Sequence, residues 1–145
     1  MQAGLEPRRR AVALMTQVTQ DHLPLHTPHR MDETLDGLPP EDRARALRLA
    51  TEALRWASRS DRLLGPHLRM KPEDSVMNAL RLALYEINVT GAPGHAAVNA
   101  AVSIVPKSKT GLVNAVLRNV DRRAQVWDDL PMPVTAKWLR KRLIA

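Results

Sequence analysis

The chain has 145 residues, of which 22 are Lys or Arg and 15 are Asp or Glu, for a formal net charge of +7. Apolar residues make up 44% and charged residues 26%; this balance excludes a disordered polyelectrolyte and fits one globular domain with at most an appendage. The lack of Cys removes disulfides, thiolate zinc sites and cysteine nucleophiles, and makes a cytoplasmic address the default expectation. One Tyr, three Trp and no Phe supply too little aromatic surface for a sheet or barrel that binds nucleic acid by stacking bases. Residues 87–106 carry no Asp, Glu, Lys or Arg, but Asn88, Gly91, Pro93, Gly94, His95 and Asn99 make the stretch too polar and too broken for a membrane span. The segment Met1 to Arg10 lacks the apolar core of a secretory signal.

Along the chain the apolar period is helical. Ala11, Leu14, Met15 and Val18 fall at i, i+3, i+4 and i+7 and predict a first helix over about Glu6 to Gln20, with Pro7 in its first turn. Pro24, Pro28, Gly37, Pro39 and Pro40 break the next region, leaving room for two turns within Met31 to Leu38. A long helix follows from Pro40 or Glu41, burying Leu47, Ala50, Ala53, Leu54 and Ala57, and Ser60 is expected to cap a short helix through Leu63, Leu64 and Leu68. Pro72-Glu73-Asp74 opens a further helix, with carboxylates at the positive end of its dipole. Its apolar face is Val76, Ala79, Leu80, Ala83, Leu84 and Ile87. Gly91-Ala92-Pro93-Gly94 ends it. Ala97, Val98, Ala101, Val102 and Val105 form the next helix, stopped by Pro106, and Thr110-Gly111 starts another that buries Leu112, Val113, Val116, Leu117 and Val120. Asp128 to Pro133 reads as a linker, and Lys137 to Ile144 as the start of a further helix whose apolar pattern is still running at Ala145, as if a longer chain continued. No segment alternates like a strand. The fold class expected is all-α, about seven helices in two packed subbundles.

The excess charge sits at the two ends. Met1 to Arg10 carries three Arg against Glu6, and Thr110 to Ala145 carries seven basic residues against three acidic ones, whereas residues 11–109 hold 12 basic and 11 acidic. Arg8, Arg9 and Arg10 lie in the first turn of a helix, where the dipole disfavours cations; phosphate contacts would offset that cost. Lys107 and Lys109 precede the helix on which Asn114, Arg118 and Arg122 recur at i, i+4 and i+8, a basic strip headed by an amide. Two readings stand for each group: phosphate contacts, or a solvated face for the triplet and pairing with Asp121 or a neighbouring helix for Arg118 and Arg122. His22, His26 and His29 sit among prolines without a second ligand cluster and read as an incidental loop, and His67 and His95 as caps or packing residues. Gly91 to Gly94 lacks the strand and spacing of a phosphate cradle, and Ser103 and Ser108 belong to no nucleophile motif. No catalytic residue is expected in this chain.

The segments His95-Ala96-Ala97-Val98-Asn99-Ala100-Ala101-Val102 and Gly111-Leu112-Val113-Asn114-Ala115-Val116-Leu117-Arg118-Asn119-Val120 together resemble the NusB-like domain. More specifically, they resemble the version fused in front of ribosomal RNA cytosine-C5 methyltransferases of the RsmB (Sun/Fmu) family. The likeness extends to Pro7-Arg8-Arg9, to Arg43 through Arg55 and to Leu80-Arg81-Leu82-Ala83-Leu84-Tyr85-Glu86, and so covers nearly the whole chain. It implies an all-helical RNA-binding domain over residues 1–127, with residues 128–145 leading toward a methyltransferase domain outside this chain. That domain would bind S-adenosylmethionine and carry the catalytic cysteines; no cofactor is implied for this chain itself. Small-subunit rRNA is the implied partner, together with the methyltransferase domain, and the arginine-rich start of the first helix, here Arg8, Arg9 and Arg10, is implied in RNA contact. Two alternatives remain: a stand-alone antitermination factor that binds leader RNA and a ribosomal protein, and a structural module that packs on the catalytic domain. The sequence departs from the family at Ala100, where an acidic residue is usual, in the Pro-rich region 21–40, and at Val105-Pro106, in place of a small residue and Lys.

Overall fold

The computed structural model describes residues 4–22, 28–121 and 126–130. Among them every regular element is helical: α1 (Leu5–Thr19), α2 (Pro28–Thr34), α3 (Pro40–Arg55), α4 (Ala57–Leu64), α5 (Asp74–Tyr85), α6 (Gly94–Ile104), α7 (Thr110–Asp121) and a single turn, α8 (Val126–Asp129). Tight 3-10 turns occupy Gly65–His67 and Lys107–Lys109, and a wider π turn carries α5 on through Glu86–Thr90. The all-α bundle expected from the sequence is the fold observed. The helix expected over Lys137 to Ile144 lies outside the described residues. No described helix is long and apolar enough to cross a membrane.

Two apolar cores share one central helix. The first gathers Ala11, Leu14, Met15 and Val18 of α1 with Leu35 and with Ala46, Leu49, Ala50, Ala53 and Leu54 of α3. The second joins Leu63 and Leu64 of α4 to Val98 and Ala101 of α6, to Val113, Val116, Leu117 and Val120 of α7, and to Trp127. Helix α5 divides its faces between them. Ala79, Leu82 and Tyr85 enter the first core, and Val76, Met77, Leu80, Ala83 and Leu84 enter the second. Every side chain from Val76 to Glu86 is therefore buried, as required of a helix with packed neighbours all round. Each large apolar side chain so buried contributes about 1.5–3 kcal/mol.

Burial on all sides forces the polar residues of α5 to bring partners in with them. Asn78, fully buried, donates from Nδ2 to the hydroxyls of Thr16 and Thr19 on α1, both at 3.1 Å, and Thr16 in turn donates to the Val12 carbonyl at 2.8 Å. On its other side the Asn78 carbonyl accepts from Arg81 Nη1 at 2.9 Å. Arg81 grips Asp61 of α4 with Nε at 2.8 Å and Nη2 at 2.9 Å. One chain of hydrogen bonds thus ties α1, α5 and α4 together across the seam between the two cores.

The long third helix differs from its sequence expectation at its end. Ser60 was expected as an N-cap; instead it lies inside α4, fully buried, and its Oγ finds no hydrogen-bond partner among the described residues. The break falls four residues earlier, at Trp56, whose backbone sits at φ −93°, ψ 7°. Its indole lies 5.9 Å from Trp127, and the Arg59 guanidinium stands 5.1 Å and 5.7 Å from the two ring centres. Arg59 is itself buried and donates to the Leu130 carbonyl at 2.8 Å. Packing of this stack, which seats α8 on α4, outweighs the cap a serine would provide. Within α3, Ala46 and Leu49 join Ala50, Ala53 and Leu54 in the buried stripe, Leu47 is half-buried at its edge, and Ala57, half-buried, opens α4 instead.

Replacing Asn78 with Ala leaves Arg81 Nη1 short of an acceptor and cuts α5 from Thr16 and Thr19. Urea unfolding should show a loss of about 1–3 kcal/mol, and an unchanged midpoint would contradict the network.

Candidate nucleic-acid interface

Consecutive residues on a helix are rotated by about 100°, so Arg8, Arg9 and Arg10 leave α1 in three directions. Arg8 turns inward. Its Nε and Nη2 donate to the two carboxylate oxygens of Glu86 at 2.8 Å and 2.7 Å, and Nη1 reaches the Gly4 carbonyl at 3.2 Å. The Arg8 side chain is 17% exposed and that of Glu86 6%. These hydrogen bonds hold the guanidinium above its ordinary pKa, against the opposing effect of burial. Gly4 permits the arrangement: it caps α1 at φ 84°, and a Cβ there would lie 2.7 Å from Arg8 Nη1 and 2.9 Å from Arg45 Nη1. Burial, together with the charges of Glu52 and Glu86, raises the pKa of the neighbouring Tyr85 hydroxyl.

Arg10 turns toward α2. Nη1 donates to the Thr34 and Asp36 carbonyls at 3.0 Å and 2.6 Å, and Nε lies 3.3 Å from Glu6. Arg43 of α3 covers the carbonyl between them, donating to Leu35 O at 3.0 Å, and pairs with Asp32. Two guanidiniums thus satisfy the carbonyls at the negative end of α2. Arg9 alone of the triplet is on the exposed face, paired with Glu6 one turn back. The triplet is therefore divided between two structural tasks and one surface cation. The sequence signal for the inner partner was thin, since Glu86 lies 78 residues from Arg8.

At the other end of the basic pattern, Pro106 stops α6 and the chain turns through Lys107–Lys109. The Lys109 amide donates to the Pro106 carbonyl at 2.8 Å, and the Thr110 hydroxyl donates to Lys107 O at 3.0 Å. Lys107 is exposed and Lys109 half-buried. On α7, Arg118 is exposed and its Nε donates to Asn114 Oδ1 at 3.1 Å, as the i, i+4 spacing predicts. Arg122 lies outside the described residues. Arg118 borders a cleft of about 200 Å³ with Gly94, His95, Val98 and Asn99 of α6. The two segments that carry the family resemblance, separated along the chain, thus meet across this cleft. Arg69 and Lys71, exposed on the loop before α5, were not singled out from sequence; the alternation Arg-Met-Lys ahead of a helix opening is the signal that marks them. Of the three neighbouring histidines, His22 is exposed at φ 58°, while the side chains of His26 and His29 lie outside the described residues. Among the described residues no cluster could hold a metal ion.

The division of the triplet has a direct consequence for stability. Arg8→Ala should cost about 3–5 kcal/mol in urea unfolding, because it leaves the Glu86 carboxylate buried without its partner. Arg9→Ala should change stability by no more than about 0.5 kcal/mol, and equal effects would contradict the assignment.

Residues 5–122 match the NusB family. The chain is similar to the ribosomal RNA small subunit methyltransferase B of Pseudomonas putida, 30% identical over 155 residues covering 97% of this chain and 35% of that protein. It is also similar to the protein of the same name from Pseudomonas syringae pv. tomato, 29% identical over 154 residues covering 97% of this chain and 34% of that protein. The chain therefore spans about a third of the length of these relatives, matching their N-terminal part. With helices α1 to α7, including the paired α6 and α7 segments, all falling within residues 5–122, the chain belongs to the NusB family.

Proposed function

We propose that this chain is the RNA-binding N-terminal region of a small-subunit rRNA cytosine-C5 methyltransferase, holding structured rRNA through phosphate contacts and positioning a cytosine for chemistry performed elsewhere. The observation that carries the reading is the match of nearly the whole chain to the N-terminal third of two rRNA methyltransferases, on a body whose surface presents Arg9, Lys107, Lys109 and Arg118. The names of these relatives favour a methyltransferase region over a stand-alone antitermination factor. Phosphate contacts fix register and orientation but carry no base identity, so this region supplies grip and placement. The residues here do not fit S-adenosylmethionine: among the described residues there is no strand, and hence no strand-to-helix glycine turn to hold a nucleoside cofactor. The methyl donor and the catalytic cysteines are therefore assigned to a separate part of such a protein. The proposed RNA contacts are Arg9, Lys107, Lys109, Asn114, Arg118 and Arg122, with Arg8 and Arg10 acting by fixing α1.

Binding to a small-subunit rRNA transcript should weaken steeply with salt, the logarithm of affinity falling by about 0.7 per phosphate contact for each unit of log salt on single-stranded segments. Filter binding across a KCl series should give a slope of about −3 or steeper, and no binding at low ionic strength would overturn the proposal.

A further inference from the structure

A second, larger groove lies between the loop ahead of α5 and the start of α7. Its volume is about 520 Å³, within the range of roughly 300–1,000 Å³ typical of clefts that enclose small ligands. Leu68, Met70 and Leu112 give it apolar walls, and Arg69, Lys71 and Lys109 give it three cations. Met70 is 83% exposed and Leu112 38%, among the few large apolar side chains left in water. Glu73 is the carboxylate in the lining, and His67 adds a planar ring.

What distinguishes this place is the state of its cations. At the start of α1 each guanidinium already has an acceptor: Arg8 has Glu86, Arg9 has Glu6, and Arg10 has the carbonyls that end α2. The side chains of Arg69, Lys71 and Lys109 make no hydrogen bond or ion pair with another of the described residues. An anion arriving at α1 must compete with bonds already made, whereas one arriving at the groove meets cations solvated by water alone. The positive end of α7, a helix of 12 residues, opens at the same place and adds to the field.

We propose that this groove takes a nucleotide of the bound RNA, with an unstacked base lying against Met70, Leu68 and Leu112 and the phosphates on either side held by Arg69, Lys71 and Lys109. This rests on the reading above that the region binds rRNA, and it moves the main point of contact away from the arginine triplet. The mixture of surfaces is what favours RNA. A base splayed from a strand presents an apolar face and a planar ring, for which the imidazole of His67 and the guanidinium of Arg69 are matching planes, while its backbone presents regularly spaced anions. An acidic peptide would use the cations but leave the exposed Met70 without a planar partner.

The test compares the whole protein with two variants, R69A/K71A/K109A and Met70→Ala, binding a labelled small-subunit rRNA transcript over a KCl series, with urea midpoints confirming that each variant folds. The triple variant should lose at least tenfold in affinity and shed about 2 from the salt slope, at about 0.7 per contact. Met70→Ala should lose several-fold in affinity while keeping the slope. A photoreactive side chain placed at position 70 should cross-link to RNA. Wild-type binding with an unchanged triple variant overturns the groove and leaves the proposed function standing. A cross-link to protein instead of RNA overturns the groove as well, marking it as a protein interface. Failure of the wild-type protein to bind overturns both.

Discussion

Between Val76 and Glu86 the central helix is packed on every side, and within that stretch it carries an amide, a guanidinium and a carboxylate. A carboxylate taken out of water alone is costly by several kcal/mol, so Glu86 has to be met by a cation whose geometry matches both its oxygens. Arg8 supplies that fork. The pair sets the rotation of α1, and the rotation decides where its neighbours point: Arg9 to solvent and Arg10 to the end of α2. The hydrogen bonds of Asn78 and Arg81 repeat the same logic one and two turns earlier, joining α1 and α4 to α5.

This arrangement changes the meaning of a basic N-terminal run. Read as charge alone, three adjacent arginines at a helix start suggest a polyanion site, because the dipole makes that placement unfavourable without one. The structure answers the unfavourable placement internally, with Glu6, Glu86 and the carbonyls of α2. Cations without such partners lie elsewhere, on the loop before α5 and on the turn before α7. The groove proposed to take a nucleotide is accordingly defined by which positive charges the fold leaves unpaired, and only secondarily by where arginine is densest.

Most helices were legible in the sequence because their signals are local. The stripe at Ala11 to Val18 reports one face, as does that at Leu112 to Val120 except for Leu112, expected inward but 38% exposed at the helix start, and Pro40, Gly91 and Pro106 mark boundaries by backbone sterics. The break at Trp56 was not legible, since no Gly or Pro marks it and its cause is a stack with Trp127, more than 70 positions away. Ser60 was misread for the same reason. A buried hydroxyl inside a helix has the same sequence signature as a cap. In the candidate site, the i, i+4 relation of Asn114 and Arg118 was readable, whereas the Arg8–Glu86 pair was hidden by distance along the chain. Beyond the Arg-Met-Lys alternation, Arg69 and Lys71 look like ordinary loop cations until the fold brings Lys109 and Leu112 to the same groove.

The central claim is that Arg8 belongs to the core and owes its position to Glu86. A double-mutant cycle tests it most directly, with Arg8→Met, Glu86→Gln and the pair together measured by equilibrium unfolding. If the two side chains act as one buried ion pair, the single substitutions are non-additive, with a coupling energy of about 1–3 kcal/mol. A coupling near zero would mean that the carboxylate and the guanidinium are stabilised independently, and the account of how α1 is oriented would be wrong.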